Sequence, residues 1–318
     1  MHRILNLDPK FYSTTALQIL RAGGCDVIGQ TLSRRQLLEC VGSYEGLLLR
    51  FSHQIDSEIL AKAKKLRVIA TNTTGLDHID VEHVKDLGIQ LISLKENKEF
   101  LRSIHATAEL TWGLLLAAMR HLPQAIDAVK NKEWKRENFI GRELAAKHIG
   151  IIGVGRIGEK IARYAEAFSM HVHGFDSDVA ARKIKYVNWH DELDSMLSIC
   201  DILTIHVPLN AQTEKYINTS FLERLKPGAV LINTSRGAVL DEQAVVQALI
   251  NRHLACVAVD VLANEHHAAF PECNTLWQFA QQSPRVIISP HIGGAAWEAW
   301  DKTEQFIARQ VITHLNKD

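Results

Sequence analysis

Short apolar, β-branched runs alternate with amphipathic stretches along the first hundred positions of the chain. The runs fall at 3–7, 26–28, 46–49, 68–70 and 90–92, and between them residues 14–22, 33–41, 57–63 and 81–87 repeat apolar side chains at helical spacing. Strands alternating with helices predict a parallel sheet covered on both faces. A second alternating region has its strand candidates at 148–154, 171–176, 202–206, 229–233, 255–260 and 286–289. Between the two regions, residues 104–132 are nearly all good helix formers. They read as one long helix bridging two domains, with Pro123 bending it. The amphipathic stretch 295–316 closes the chain with no strand after it, so it is expected to dock back on the N-terminal region. Two domains follow, one from residues 1–103 and 292–318 and the other from 104–291.

Composition agrees with this division. A chain of 318 residues exceeds what a single core sustains, about 250–300 residues. Lys+Arg and Asp+Glu number 36 each, so the net charge is zero and no basic stripe points to nucleic acid or to an anionic membrane. The most apolar stretch, 110–119, is far short of the roughly 20 residues of a membrane span. The opening residues pattern as a strand and turn, not as a signal peptide. Cys25, Cys40, Cys200, Cys256 and Cys273 are widely spaced with no Cys-x-x-Cys pair. Reduced thiols in the cytoplasm and no metal site are expected.

The first motif that carries chemistry is Gly153-Val-Gly155-Arg-Ile-Gly158, set between an apolar strand and a helix. A lone Gly-x-Gly-x-x-Gly is weak, but this context makes it a dinucleotide fingerprint. Gly153 permits the tight turn, Gly155 lets backbone approach a pyrophosphate, and Gly158 lets helix and strand pack closely. The pyrophosphate is favoured at the helix N-terminus, where N–H groups are unpaired. Asp176 ends the next strand and can accept from the ribose hydroxyls. Its carboxylate repels a 2′-phosphate, and Ser177 and Asp178 bring no cation, so NAD is expected over NADP.

Further runs follow in order. They are Trp134 and Gly141-Arg-Glu-Leu, Asp201-Ile-Leu-Thr-Ile-His206-Val-Pro208-Leu, and Leu225-Lys-Pro-Gly-Ala-Val-Leu-Ile-Asn233-Thr-Ser-Arg236-Gly237. Asp260-Val-Leu-Ala-Asn-Glu265 and Ser289-Pro-His291-Ile-Gly293-Gly294 complete them. With the glycine loop, they resemble the D-isomer-specific 2-hydroxyacid dehydrogenases almost throughout the second region. The N-terminal region matches more loosely, mainly at Thr73-Thr-Gly75-Leu-Asp-His-Ile-Asp80.

The resemblance implies an α/β fold of two doubly wound parallel-sheet domains, with a Rossmann NAD domain inserted in a flavodoxin-like substrate domain. It implies hydride transfer between NAD(H) and a small D-2-hydroxy or 2-oxo acid, with 3-phosphoglycerate and glycerate or glyoxylate leading. Arg236, Glu265 and His291 become the catalytic set. The chemistry wants those residue types independently. A protonated imidazole donates to the carbonyl oxygen as charge develops on it, and a carboxylate on the other ring nitrogen fixes the tautomer. A guanidinium forks onto the substrate carboxylate. By the same resemblance Arg156 and Ile157 lie along the pyrophosphate. Val207, Thr234 and Ser235 line the riboses, Gly294 borders the cofactor, and Asp260 orients the carboxamide. The backbone N–H groups of Thr74 and Gly75 resemble a substrate-carboxylate loop. Arg50 resembles an arginine that contacts phosphate or carboxylate, though it reads equally well as a strand-end surface cation. A homodimer built on the 104–132 helix is implied too.

Departures are present. His266 stands where the family has Pro, Ala296 where it has Thr or Ser, and Thr-Ser-Arg-Gly replaces Ala-Arg-Gly. The stretch from Glu265 to His291 is longer than typical. An NAD(H)-sensing corepressor with the same fold and little turnover is the alternative. The absence of interaction-rich tails disfavours it.

Overall fold

The structure is a computed structural model that describes residues 1–179, 182–265, 267 and 269–316. His266 therefore lies outside the described residues. The chain divides into two compact units, Met1–Ile104 with Ala295–Asp318, and His105–Gly294.

The first unit begins β1 (His2–Asn6), α1 (Thr14–Ala22), β2 (Cys25–Gly29), α2 (Arg34–Cys40) and β3 (Gly46–Leu49). It continues α3 (Ser57–Lys62), β4 (Val68–Thr71), α4 (Val81–Asp86), β5 (Gln90–Ile92) and α5 (Lys98–Arg102). All five strands are parallel, in the order β2-β1-β3-β4-β5. Side-chain caps set the helix starts: Ser13, Ser33, Asp56 and Asp80 each accept a first-turn N–H. Leu37, Ile59, Leu60 and Val84 from α2, α3 and α4 pack with Leu5, Leu47 and Ile69 on one face of the sheet.

The second unit runs α6 (Ala106–Arg120), α7 (Leu122–Lys130), β6 (His148–Ile152), α8 (Arg156–Ala167), β7 (His171–Phe175), β8 (Asn188–Trp189), α9 (Leu193–Leu197) and β9 (Ile202–Ile205). Then come α10 (Thr219–Leu222), β10 (Ala229–Asn233), α11 (Glu242–Ile250), β11 (Leu254–Val259), α12 (Thr275–Ala280) and β12 (Val286–Ile288). Its seven strands are also parallel, in the order β12-β11-β10-β9-β6-β7-β8. The order reverses between β6 and β9, and this is where a doubly wound sheet opens its ligand crevice. Trp112, Leu115 and Ile161 cover one face, and Phe221, Val245 and Leu276 the other. The chain closes on α13 (Trp297–Leu315), which packs with α1 against the first unit's sheet.

The expected single bent helix over 104–132 is two helices. His121 adopts a left-handed conformation, φ 52°, and ends α6, while Pro123 sits in the first turn of α7. Proline has no N–H to give to the Met119 carbonyl four residues back, and its ring clashes with that carbonyl in a continuous helix. The Met119 oxygen instead accepts from Arg142 N at 2.9 Å. That approach passes so close that a Cβ on Gly141 would run into the same oxygen. Nor is α6 simply a bridge: its Ala108, Trp112, Leu115 and Met119 are part of the second unit's core. Among the described residues no helix is long and apolar enough to cross a membrane.

Candidate active site

The loop after β6 is shaped by two close approaches. Gly153 has φ 83°, and a Cβ there would stand 2.7 Å from the His206 carbonyl oxygen at the end of β9. A Cβ on Gly158 would strike the Gly153 carbonyl. Only glycine is free of both penalties. At Gly155, the N-cap of α8, a Cβ would meet nothing, so a bare backbone there leaves the outer side of the turn open. Arg156 and Ile157 form the first turn of α8. Burial lowers the pKa of the Arg156 guanidinium, and Ile157 packs against the core beneath. Asp176 follows β7. Its Oδ2 accepts from Val154 N at 2.8 Å and its Oδ1 from Asp178 N at 2.9 Å, so the carboxylate ties the two turns together. The open turn, a twelve-residue helix starting from it and a carboxylate at the neighbouring strand end fit a dinucleotide.

One neighbour of Asp176 escaped the sequence reading. Arg182 Nη2 donates to the Asp176 carbonyl at 3.0 Å, and its Nη1 pairs with Asp191 at 2.6 Å. A cation therefore does stand beside the acid. Six residues further along the chain, it had no sequence signature, and its charge is matched by Asp191.

Arg236, Glu265 and His291 follow β10, β11 and β12, three adjacent strands, each a few residues beyond the carboxyl end. The fold brings Glu265 Oε1 to His291 Nδ1 at 2.5 Å. Both side chains keep part of their surface open, 19% and 25%. The loop carrying His291 is held by Asp260. Its Oδ1 accepts from Ser289 Oγ at 2.5 Å and Ile292 N at 2.9 Å, its Oδ2 from Gly293 N at 2.7 Å, and its carbonyl from His291 N at 2.9 Å. Burial raises the Asp260 carboxyl pKa, and the hydrogen bonds to Ser289, Ile292 and Gly293 oppose that. Asp260 thus orients the His291 loop itself. The Glu265 loop is pinned by Glu242, which accepts from Ala263 N at 2.8 Å and Asn274 Nδ2 at 3.0 Å. Arg236 leaves a turn framed by Asn233, whose Nδ2 donates to the Arg236 carbonyl at 2.9 Å. Its Nη1 donates to the Ser235 carbonyl at 2.7 Å. A Cβ on Gly237 would collide with the Leu262 carbonyl group, so this glycine lets the Arg236 and Glu265 loops touch. Asn233, Glu242 and Asn274 were missed as parts of the site. A buried strand-end Asn and a helix-start Glu look ordinary until partners far along the chain are known.

The remaining cofactor candidates divide. Val207 is half-buried on the core at the end of β9. The Thr234 hydroxyl is engaged with Thr111 Oγ1 at 2.7 Å, and Ser235 Oγ donates to Asn233 Oδ1 at 2.7 Å. Their side chains serve the turn, leaving backbone atoms as the groups open to a ligand. A Cβ at Gly294 would meet nothing.

In the first unit, Thr73 Oγ1 donates to the Gly75 carbonyl at 2.7 Å and pins the turn after β4. The N–H groups of Thr74 and Gly75 have no acceptor among the described residues, which suits a carboxylate nest. Arg50, directly after β3, is held by Glu304 of α13 with Nη2 2.5 Å from Oε1. Among the described residues no group of three or more His, Cys, Asp or Glu is placed to hold a metal ion.

Residues 112–293 match the model of the D-isomer specific 2-hydroxyacid dehydrogenase family, NAD binding domain. Over 313 residues the chain is 32% identical to a D-3-phosphoglycerate dehydrogenase of Methanocaldococcus jannaschii, covering 98% of this chain and 57% of that protein. Over 271 residues it is 32% identical to a D-3-phosphoglycerate dehydrogenase of Bacillus subtilis, covering 85% and 49%. The chain spans about half the length of the curated relatives it matches. Among solved structures, the TT0316 protein of Thermus thermophilus superposes with a TM-score of 0.84 at 29% identity, covering 99% of this chain and 97% of that one.

Proposed function

The chain belongs to the D-isomer specific 2-hydroxyacid dehydrogenase family, and on that premise we propose that it transfers a hydride between NAD(H) and a small D-2-hydroxy or 2-oxo acid. The observation that carries the proposal is the 2.5 Å contact of Glu265 with His291 Nδ1, at the carboxyl ends of the strands of the dinucleotide-type sheet. With Nδ1 held by the carboxylate, His291 presents Nε2 to a substrate. Protonated, it donates that proton to the carbonyl oxygen during reduction, and neutral, it removes the hydroxyl proton during oxidation. Arg236 adds a permanent positive charge for a carboxylate or a polarised carbonyl. NAD(H) supplies or accepts the hydride when bound. Gly153, Gly155, Arg156, Ile157 and Gly158 would hold its pyrophosphate, Asp176 its adenosine ribose, and Val207, Thr234, Ser235, Asp260 and Gly294 its nicotinamide side. Preference for NAD over NADP rests on the Asp176 carboxylate and on Arg182 being matched by Asp191.

Residues 104–291 are read as the NAD domain and residues 1–103 with 292–318 as the substrate domain, with Thr74 and Gly75 as substrate-facing groups and Arg50 beside the substrate crevice, held by Glu304. The curated relatives are named for 3-phosphoglycerate. By those names alone that acid would lead, with glycerate and glyoxylate as its unphosphorylated counterparts. Five free thiols suit the reducing cytoplasm. Leu122, Ile126 and Val129 expose one apolar face of α7, with Trp134 and Ile140 exposed beyond it, and this supports a homodimer.

The test is a reductase screen at fixed NADH against glyoxylate, hydroxypyruvate, 3-phosphohydroxypyruvate, pyruvate and 2-oxoglutarate. Turnover of at least one is expected. NADH binding with no turnover of any would replace the dehydrogenase reading by the sensing one.

A further inference from the structure

In the first unit the strand order reverses between β1 and β3, so the crevice for a ligand opens at the carboxyl ends of those two strands. Arg50 stands there, and both edges of its guanidinium are already engaged. One edge, Nε and Nη2, faces Glu304 Oε1 at 3.1 and 2.5 Å. On the other edge Nη1 donates to the Lys10 carbonyl at 3.3 Å and Nη2 to the Phe11 carbonyl at 3.4 Å. One face lies 4.1 Å from the centroid of Trp300. Glu304 is wholly buried, and it also accepts from Ser13 N at 2.6 Å and, at the limit, from Asn72 Nδ2 at 3.5 Å. A carboxylate with that many donors is held in place, and burial leaves its charge poorly screened.

Arginine recognises phosphate by offering one edge as a two-toothed fork. Here neither edge is free. Around it, Asp8 accepts from Arg50 N at 2.7 Å and Asp301 from Ser13 Oγ at 2.5 Å, so the carboxylates of Asp8 and Asp301 join that of Glu304 beside Arg50. Phe11 and Trp297, both more than half exposed and in edge-to-face contact at 5.4 Å, add apolar surface beside them.

We infer that Glu304 is a specificity-determining residue: by occupying Arg50 it makes this crevice accept 2-oxo acids with an uncharged substituent and reject phosphorylated ones. The inference rests on the hydride-transfer reading and narrows its substrate class. It sets this chain apart from the phosphoglycerate specificity for which its relatives are named.

The experiment compares kcat/KM for hydroxypyruvate and 3-phosphohydroxypyruvate, with glyoxylate as a reference lacking any substituent. In the unaltered protein hydroxypyruvate is expected to lead by about tenfold or more, a small estimate for placing a dianion against a buried carboxylate. Glu304→Gln keeps the shape and removes the charge, and should move that ratio toward the phosphorylated acid by about tenfold, mainly through its KM. A role in stability alone would lower all three rates together and leave the ratio in place. If the unaltered protein favours 3-phosphohydroxypyruvate, the inference falls while hydride transfer stands, and this result needs no variant to fold. An unmoved ratio in a folded Glu304→Gln protein overturns it as well. No turnover of any of the three acids removes the hydride-transfer reading, and this inference with it.

Discussion

His291 sits in a left-handed backbone conformation, φ 53°, between Pro290 and Ile292, in a turn tied down by Asp260, Ser289 and Glu265. That strained turn is where the imidazole is anchored through Nδ1 on Glu265. His291→Ala should therefore lower kcat for the best acid of the screen by about a hundredfold or more, with NADH affinity, followed by fluorescence titration, nearly intact. Rates close to the original would sink the proton-transfer role. Asp176 accepts from the loop N–H of Val154 and is the residue proposed to hold the adenosine ribose. Asp176→Ala is expected to narrow the kcat/KM preference for NADH over NADPH by about tenfold, and an unchanged ratio would show that something else discriminates. The residue types and order of Arg236, Glu265 and His291 were legible in the chain because hydride transfer to a carbonyl demands a donor, its anchor and a cation. Asn233, Glu242 and Asn274 were not, since they hold loops that the linear sequence does not place together.

Among the elements, the neighbouring strands β6, β7 and β8 carry a chain of histidines far from the catalytic set in sequence. His148 Nδ1 lies 2.9 Å from His173 Nε2, His173 Nδ1 lies 2.9 Å from His190 Nε2, and His190 Nδ1 lies 2.7 Å from Ser195 Oγ. Each nitrogen pair can share only one proton, so the rings pack as neutral species. Burial, reinforced by the neighbouring rings, pushes His173 from 6.5 down to about 4, and burial lowers His148 and His190 too. With the folded pKa below the unfolded one, the unfolded chain takes up protons first as the medium acidifies. Stability is then fully present above about 6.5 and is lost as pH falls toward 4. Thermal unfolding between pH 7 and 4.5 should show this loss, and His173→Gln should flatten it. A parallel decline in the variant would assign the acid sensitivity elsewhere. Most element positions were readable from apolar periodicity, as with β3 at Gly46–Leu49 and β10 at Ala229–Asn233. The two-residue β8 is too short for any period to register. The break at His121 was hidden because a proline predicts a disturbance without saying whether a helix bends or restarts.

For the whole molecule, association is the open prediction. The exposed row Leu122, Ile126 and Val129, with Trp134 beyond it, is more apolar surface than a lone helix leaves in water without reason. Light scattering should return twice the 35.7 kDa of one chain, and Ile126→Glu, which places a charge in that row, should shift the population toward single chains. A monomer in the unaltered protein would remove the α7 face as an interface.

The sequence by itself determined two parallel α/β sheets, a dinucleotide turn and the three residue types of the proposed catalytic set. Each of these depends on local periodicity, on backbone freedom at a glycine, or on residue chemistry. Tertiary structure alone decided that Glu265 reaches His291, 26 positions further along the chain. It also decided that Asp260 holds the His291 loop and that Arg50 is already claimed by Glu304 of the last helix, 254 positions away. Contacts of that kind come from strand order and helix docking, which place distant residues side by side and leave no mark on the pattern of neighbours along the chain.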